Sequence, residues 1–434
     1  MLVNDTRMAV VAIDMGYGHL RPAHALADYL DTQVLECDKP PLADVDESAS
    51  WARVRRFYEG VSRLSTTLSS FRTLLDAITD IPHLHPRRDL STPNAGARGL
   101  SWLVRRGLGR GLDRYLRDGG RTLITTFYAP AIASDLLGTG PVYCVVTDSD
   151  INRVWAPLDG SRSHLQYFAP SRRVVRRLEA YGVRPENIRY TGFPLPDELV
   201  GGRDRTLLRK NLAARLVRLD PKGRFLGANR SDIEHKIGRL PKDDRPPLLT
   251  FAVGGAGAQA ELSEKFLPSL RAPLEAGKIR LALVAGIRPA VADRFRAALA
   301  RAGVKDVPIL LEKDMPSYLR AFNALLAETD ILWSKPSEIT FFAALGLPIV
   351  FSPPVGVHEA YNRRWAIEAG GGLEQGDPHF AAGWLGEWIA DGTLAGVAWS
   401  GAMRLPNLGL YEITEAAAST ASPTASPKDG PALY

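Results

Sequence analysis

The sequence predicts an α/β protein of two doubly wound domains that face each other across a cleft. One pattern carries most of this reading. A short apolar run ends in a glycine-containing loop and leads into an amphipathic helix, once at Met8–His19 and again at Leu248–Gln259. Each copy opens a series of short apolar segments alternating with helical ones, as in parallel sheets covered by helices on both faces. The length of 434 residues agrees, since domains run to roughly 100–200 residues each.

In the first half, strands are expected at the opening run and near Gln33–Cys37, Thr122–Thr125, Val142–Val146, Tyr167–Ala169 and Ile188–Thr191. In the second they are expected at the opening run and near Arg280–Val284, Val307–Leu311, Ile331–Trp333 and Pro348–Phe351. The helices after the two loops are placed near Pro22–Leu30 and Glu261–Leu270. Residues 201–247 are rich in Arg, Lys and Asp and end in prolines, which reads as a linker carrying some helix. The expected division is therefore 1–200, a linker over 201–247, 248–415, and a disordered Ala/Ser/Thr/Pro-rich tail over 416–434.

Hydrophobic residues make up 45% and charged residues 24% of the chain, an ordinary balance for a soluble protein. The two cysteines, Cys37 and Cys144, lie in no metal-binding or disulfide-framework spacing and fit a reducing compartment. No secretory signal pattern and no long apolar run is present, so a cytoplasmic location is expected. The net charge of +6 comes from arginine clusters, Arg53, Arg55, Arg56 and Arg63, then Arg105, Arg106, Arg110, Arg114 and Arg117. Such clusters meet anionic headgroups or phosphates, or are simply solvated helix faces. Over Ala49–Leu75, Trp51, Val54, Phe57, Tyr58, Val61 and Leu64 recur at helical spacing between arginines. That helix faces the core or docks on an anionic membrane.

The chemistry concentrates in the loops that end strands, where open α/β sheets place their ligands. In the first loop, Gly16 and Gly18 permit tight turning, and His19 stands at the start of the following helix. A histidine there can take a proton from an attacking hydroxyl. A dinucleotide fingerprint is the rival reading, supported by Glu36 but lacking its third glycine, where Arg21 stands. In the second loop, Gly254, Gly255 and Gly257 either let amides approach a diphosphate or form a structural turn. Ser334–Pro348 then places Lys335, Ser337, Glu338 and Thr340 after a strand, with a helix opening near Pro336 or Ser337. Glu338 there either accepts ribose hydroxyls or serves the helix dipole. His358, Glu359 and Asn362 follow the next strand to the same rim.

Taken in order, these pieces resemble glycosyltransferase family 28. This group includes processive diacylglycerol glucosyltransferases, monogalactosyldiacylglycerol synthase and the N-acetylglucosaminyltransferase of lipid II synthesis. The resemblance runs from about Met8 to Leu373. Asp14-Met-Gly-Tyr-Gly-His19 is similar to the family's D-x-G-G-G-H loop, with Tyr17 in place of the middle glycine. Val145-Val-Thr-Asp148 with the downstream Trp155 is similar to its VTD segment. Phe168–Ser171, Tyr181–Ile188 and Thr191–Pro194 match the close of its first domain. Gly254–Gly257, Lys335-Pro336, Ala344–Pro348 and His358–Asn362 follow its donor rim, with a shortened stretch before Ser337-Glu338 and with His358 where glutamine is common.

The resemblance implies the GT-B fold and inverting transfer of a hexosyl group from a nucleotide-diphosphate sugar, UDP-linked, to a hydroxyl acceptor. The acceptor is a lipid or a hydrophobic small molecule. His19 would be the base, with Gly16, Gly18, Asp148 and Trp155 on the acceptor side. Gly254, Gly255, Gly257, Lys335, Ser337, Glu338, Thr340, His358, Glu359 and Asn362 would hold the donor. No cofactor, no metal and no nucleic-acid partner is expected; Asp148-x-Asp150 falls in the acceptor half. Peripheral contact with the inner face of an anionic membrane is expected. A sugar-nucleotide epimerase or hydrolase on the same scaffold, and a nucleotide-binding module without turnover, are the alternatives.

Overall fold

Both apolar runs that precede the glycine loops become central strands. A computed structural model of the chain describes residues 7–64, 81–255 and 257–421, with the backbone alone for 55–64 and 420–421. The first half runs β1 (Met8–Ala12), α1 (Tyr17–Tyr29), β2 (Val34–Glu36), α2 (Val45–Leu64), α3 (Ala95–Arg105), α4 (Arg110–Asp118), β3 (Thr122–Thr125), α5 (Tyr128–Leu136), β4 (Val142–Val145), β5 (Gln166–Ala169), α6 (Arg172–Ala180) and β6 (Ile188–Tyr190). Helices α7 (Asp197–Val200), α8 (Thr206–Arg218) and α9 (Leu226–Ile237) lead to the second half. That half runs β7 (Leu248–Ala252), α10 (Leu262–Glu275), β8 (Arg280–Gly286), α11 (Pro289–Ala302), β9 (Ile309–Leu311), α12 (Met315–Glu328) and β10 (Ile331–Ser334). A 3₁₀ stretch (Glu338–Leu345) follows, then β11 (Ile349–Phe351), α13 (Val357–Glu368), β12 (Gly372–Glu374), α14 (Ala381–Ala390), α15 (Thr393–Arg404) and α16 (Gly409–Ala421).

The strands form two six-stranded sheets, ordered β2-β1-β3-β4-β5-β6 and β12-β11-β10-β7-β8-β9, with every pairing parallel. Strand order reverses between β1 and β3 in one sheet and between β7 and β10 in the other. Those are the points where such sheets open a crevice. Along β1, Met8, Val10 and Ala12 enter the core that continues into the second half, while Ala9 and Val11 enter a separate core on the opposite face. A period of two in a strand buried on both sides produces this split.

Four features differ from the sequence expectation. Helix α1 begins at Tyr17, so Pro22 lies inside it, where it gives up the one hydrogen bond that an amide there would make to the Gly18 carbonyl. The stretch read as a linker, 201–247, carries α8 and α9, and its packing goes beyond that expectation. Leu208, Leu212, Leu216 and Leu219 are buried, a stripe that the surrounding charge concealed. Arg215 donates to the carbonyls of Thr329, Leu345 and Gly346. Helix α16 runs on through Ala416 and Ala417, both buried, into the stretch read as a disordered tail; alanine favours helix once a face is buried. It returns to the first half, with Tyr411 edge-on to Tyr29 at 5.4 Å. Strand β12 was not expected; Gly-Leu-Glu is too short to show a period. In α2, Trp51 is fully buried, and the side chains of Phe57, Tyr58, Val61 and Leu64 lie outside the described residues.

Candidate active site

Helix α1 leaves the first crevice and is buried almost throughout. Gly16, at φ 106°, makes the turn that admits it, a conformation costly for any residue with a Cβ. His19 lies in the first turn. Its Nδ1 is 2.9 Å from the Thr126 carbonyl oxygen and 3.2 Å from the Thr147 hydroxyl. A carbonyl only accepts, so Nδ1 carries the proton and Nε2 keeps its lone pair. The Thr126 hydroxyl donates back to the His19 carbonyl at 2.8 Å. Phe127 stands edge-on to the imidazole at 4.8 Å, and Trp155 lies 6.3 Å away. Burial lowers the His19 pKa, against the opposing pull of the Asp148 carboxylate. The ring is therefore neutral near pH 7, with one fixed tautomer.

Trp155 is buried in that aromatic wall beside Tyr128 and Phe127. Asp150 is taken by Arg177, which donates to both its oxygens at 2.9 and 3.0 Å. Among the described residues no group of three His, Cys, Asp or Glu side chains is placed to hold a metal.

In the second crevice, Lys335 passes so close to Gly254 that a Cβ there would overlap its Cε. Its Nζ is ion-paired with Glu359, whose other oxygen accepts from the Val355 amide at 2.8 Å. Burial works to raise the Glu359 carboxyl, but Lys335 and His358 outweigh it and hold it below the usual range. Gln259, at φ 70°, donates to the Pro353 carbonyl at 2.6 Å and accepts from Ser352. The glycine loop and the loop after β11 are thus tied together. Ser337 is half-buried at the cap of the 3₁₀ stretch and Gly257 turns at φ 73°.

The two crevices meet through α1. The Tyr17 ring lies against Gly255 and Gly286 and 5.2 Å from the ring of Tyr318. A Cβ on Gly18 would stand 3.9 Å from Glu338 Oε2. Arg21 donates to Glu338 Oε1 at 3.3 Å. His19, Gly16, Gly18 and Glu338 therefore share one cleft, with Lys335, Glu359 and the glycine loop alongside Tyr17.

Two expected rim residues are placed otherwise. Asn362 is fully buried and spends its amide on the first half, accepting from the Ser149 amide at 2.8 Å and donating to Asp148 at 3.2 Å. Thr340 is inside the core, its hydroxyl closed off from solvent; the 3₁₀ winding turns it inward. Thr126, Thr147, Arg21, Tyr17 and Gln259 were not singled out as site residues. Thr126 directly follows β3, the second strand at the first crevice, and that position was the available signal. A groove of about 1150 Å³ lies elsewhere, at the amino ends of β7 and β8, walled by Leu226, Leu270, Pro273, Leu385 and Ile389. It is remote from both crevices.

No family model and no curated protein matches this chain. Solved structures do. A Listeria monocytogenes protein that carries the name of a UDP-N-acetylglucosamine 2-epimerase aligns at TM-score 0.53 and 13% identity, over 98% of this chain and 100% of that one. The Staphylococcus aureus MnaA–UDP structure aligns at 0.50 and 13%, over 98% and 99%. Acinetobacter baumannii MurG aligns at 0.49 and 14%, over 95% and 99%. At this identity the first two show the fold alone. The chain has the GT-B fold, two Rossmann-like domains facing across a cleft.

Proposed function

We propose that this protein is an inverting glycosyltransferase of the family 28 kind, moving a hexosyl group from a UDP-linked sugar to a hydroxyl acceptor. One observation carries the reading: a buried, neutral His19 held at Nδ1 by the Thr126 carbonyl, within the cleft that also holds Glu338. The acceptor hydroxyl binds beside the Phe127–Trp155 wall. Its oxygen attacks the anomeric carbon, its proton passes to His19 Nε2, and the bond from that carbon to the diphosphate oxygen breaks. The diphosphate leaves over Gly254, Gly255 and Gly257, with Lys335 supplying positive charge. Glu338 Oε2 accepts from the ribose. Ser337, His358 and Glu359 complete the donor rim.

Helix α3 supports a lipid acceptor at a membrane surface. Its solvent face carries Arg98, Trp102 and Arg105, with the Arg106 guanidinium 4.2 Å from the Trp102 ring centroid and no acidic residue in the helix. An exposed tryptophan among arginines suits an anionic headgroup layer. Among the described residues no helix is long and apolar enough to cross a membrane.

The name of the Listeria structure favours a second reading, a sugar-nucleotide epimerase or hydrolase. UDP release from UDP-hexoses, measured with and without lipid and small-molecule acceptors, decides between them. Acceptor-dependent release is expected. Turnover without acceptor establishes the second reading, and UDP binding without turnover leaves a nucleotide-binding module.

A further inference from the structure

We infer that Arg21, a residue of the first half, is the positioning residue for Glu338 in the second, so that the donor pocket is complete only when the halves are closed. The inference rests on the reading of Glu338 as a donor contact. Arg21 is 2% exposed and Glu338 5%. The guanidinium donates through Nε to Glu338 Oε1 at 3.3 Å and through Nη2 to the Tyr318 hydroxyl at 3.2 Å. Its carbon lies 4.9, 5.5 and 5.6 Å from the ring centroids of Phe322, Tyr318 and Phe342. Nη1 is buried with no hydrogen-bond partner.

This is a poor device for stability. A buried ion pair gains little over apolar residues of the same shape, and an unmade bond at Nη1 worsens the balance. An apolar side chain would fill the pocket of three rings better. What the guanidinium supplies is direction. It holds Oε1 and leaves Oε2 turned to the start of α1, beside Gly18. Arg21 and His19 sit two residues apart on α1, so a single helix presents the imidazole to one half and fixes the carboxylate of the other. Opening the cleft separates Arg21 from Glu338. Donor binding to the oriented carboxylate then favours closure, and closure brings the donor to His19.

The test is UDP affinity by calorimetry, with KM and kcat for the donor, for the wild type, Arg21→Met, Arg21→Lys, Glu338→Gln and the Arg21→Met/Glu338→Gln double variant. Arg21→Met leaves the buried Glu338 carboxylate without its cation, so its melting temperature is expected to fall, and the double variant, which removes the charge as well, should recover it. UDP affinity is expected to fall roughly ten- to a hundredfold in Arg21→Met, the loss of one hydrogen bond to a charged group. The donor KM should rise more than kcat falls. Lysine should recover part of the loss, and the double variant should bind no worse than Glu338→Gln. Unchanged affinity in Arg21→Met, or additive losses in the double variant, overturns the inference alone. A wild type that binds no UDP overturns the donor reading and the inference with it.

Discussion

The two glycine loops begin from the same sequence pattern and end in different architecture. In the first, the side chain that matters, His19, is held by backbone and by rings: the Thr126 carbonyl below, Phe127 and Trp155 beside. In the second it is held by charge, Lys335 against Glu359 across Gly254. The difference follows from the roles proposed for the two loops, a base in the first and a diphosphate site in the second. A base must be neutral, so its surroundings are dry and lack a salt-bridged partner. A diphosphate site must be positive, so it keeps a cation and restrains it with a carboxylate until an anion arrives.

The strongest way to break this contrast is to remove the imidazole. His19→Ala should cut turnover by about 10²–10⁴-fold, the usual worth of a positioned base, with UDP affinity unchanged. Retained turnover in a steady-state assay means that another group takes the proton. Next in size is the second loop. Gly254→Ala sets a methyl group where Lys335 passes, so Lys335 has to shift and its pairing with Glu359 is disturbed. Overpacking of this kind costs about 1–3 kcal/mol, and UDP binding should weaken by at least about tenfold. Gly18→Ala is the control from the first loop. Its methyl meets only Glu338 Oε2, at an ordinary 3.9 Å, so its stability should stay within about 0.5 kcal/mol of the wild type. Equal effects in the two variants would show that the loops are not specialised.

The contrast also marks how far the sequence could be read. The loops, the strands before them and His19 are local: an apolar run, glycines and a helix start lie within a dozen residues. The holders of the side chains are not local. Thr126 reaches His19 from 107 positions away, and Arg21 reaches Glu338 across 317. Periodicity carries no information about such partners. Asn362 shows the same limit from the other side. Its place after a strand suggested a ligand contact, whereas the docking of the first half at Ser149 and Asp148 consumes it. In residues 201–247 composition pointed to a linker with some helix, while the leucine stripe that decides its packing lay hidden among the charges.

The pH dependence of turnover sharpens the same comparison with a smaller effect. His19 has its pKa lowered by burial, and the proposed reaction uses the neutral ring. Activity should therefore be flat through neutrality and fall only as the pH drops below the ordinary histidine value of about 6.5. The profile of kcat/KM on the acid side measures this. A midpoint at or above that value would mean that the group titrating is solvent-exposed, which His19 is not.

The smallest effect lies outside both loops, on helix α3. Binding to vesicles containing an anionic phospholipid should weaken as salt rises, because exposed charges are screened over about 10 Å at 0.1 M. Trp102→Ala should weaken it by about three- to tenfold while leaving the salt slope alone, since the ring contributes buried apolar area and not charge. Arg98→Gln with Arg105→Gln should do the reverse, flattening the salt slope. Sedimentation of the protein with vesicles of neutral and anionic lipid separates these terms. If binding is indifferent to anionic lipid, the α3 stripe is a solvated face. The acceptor would then reach the Phe127–Trp155 wall from solution, and His19 would serve a soluble hydroxyl by the same geometry.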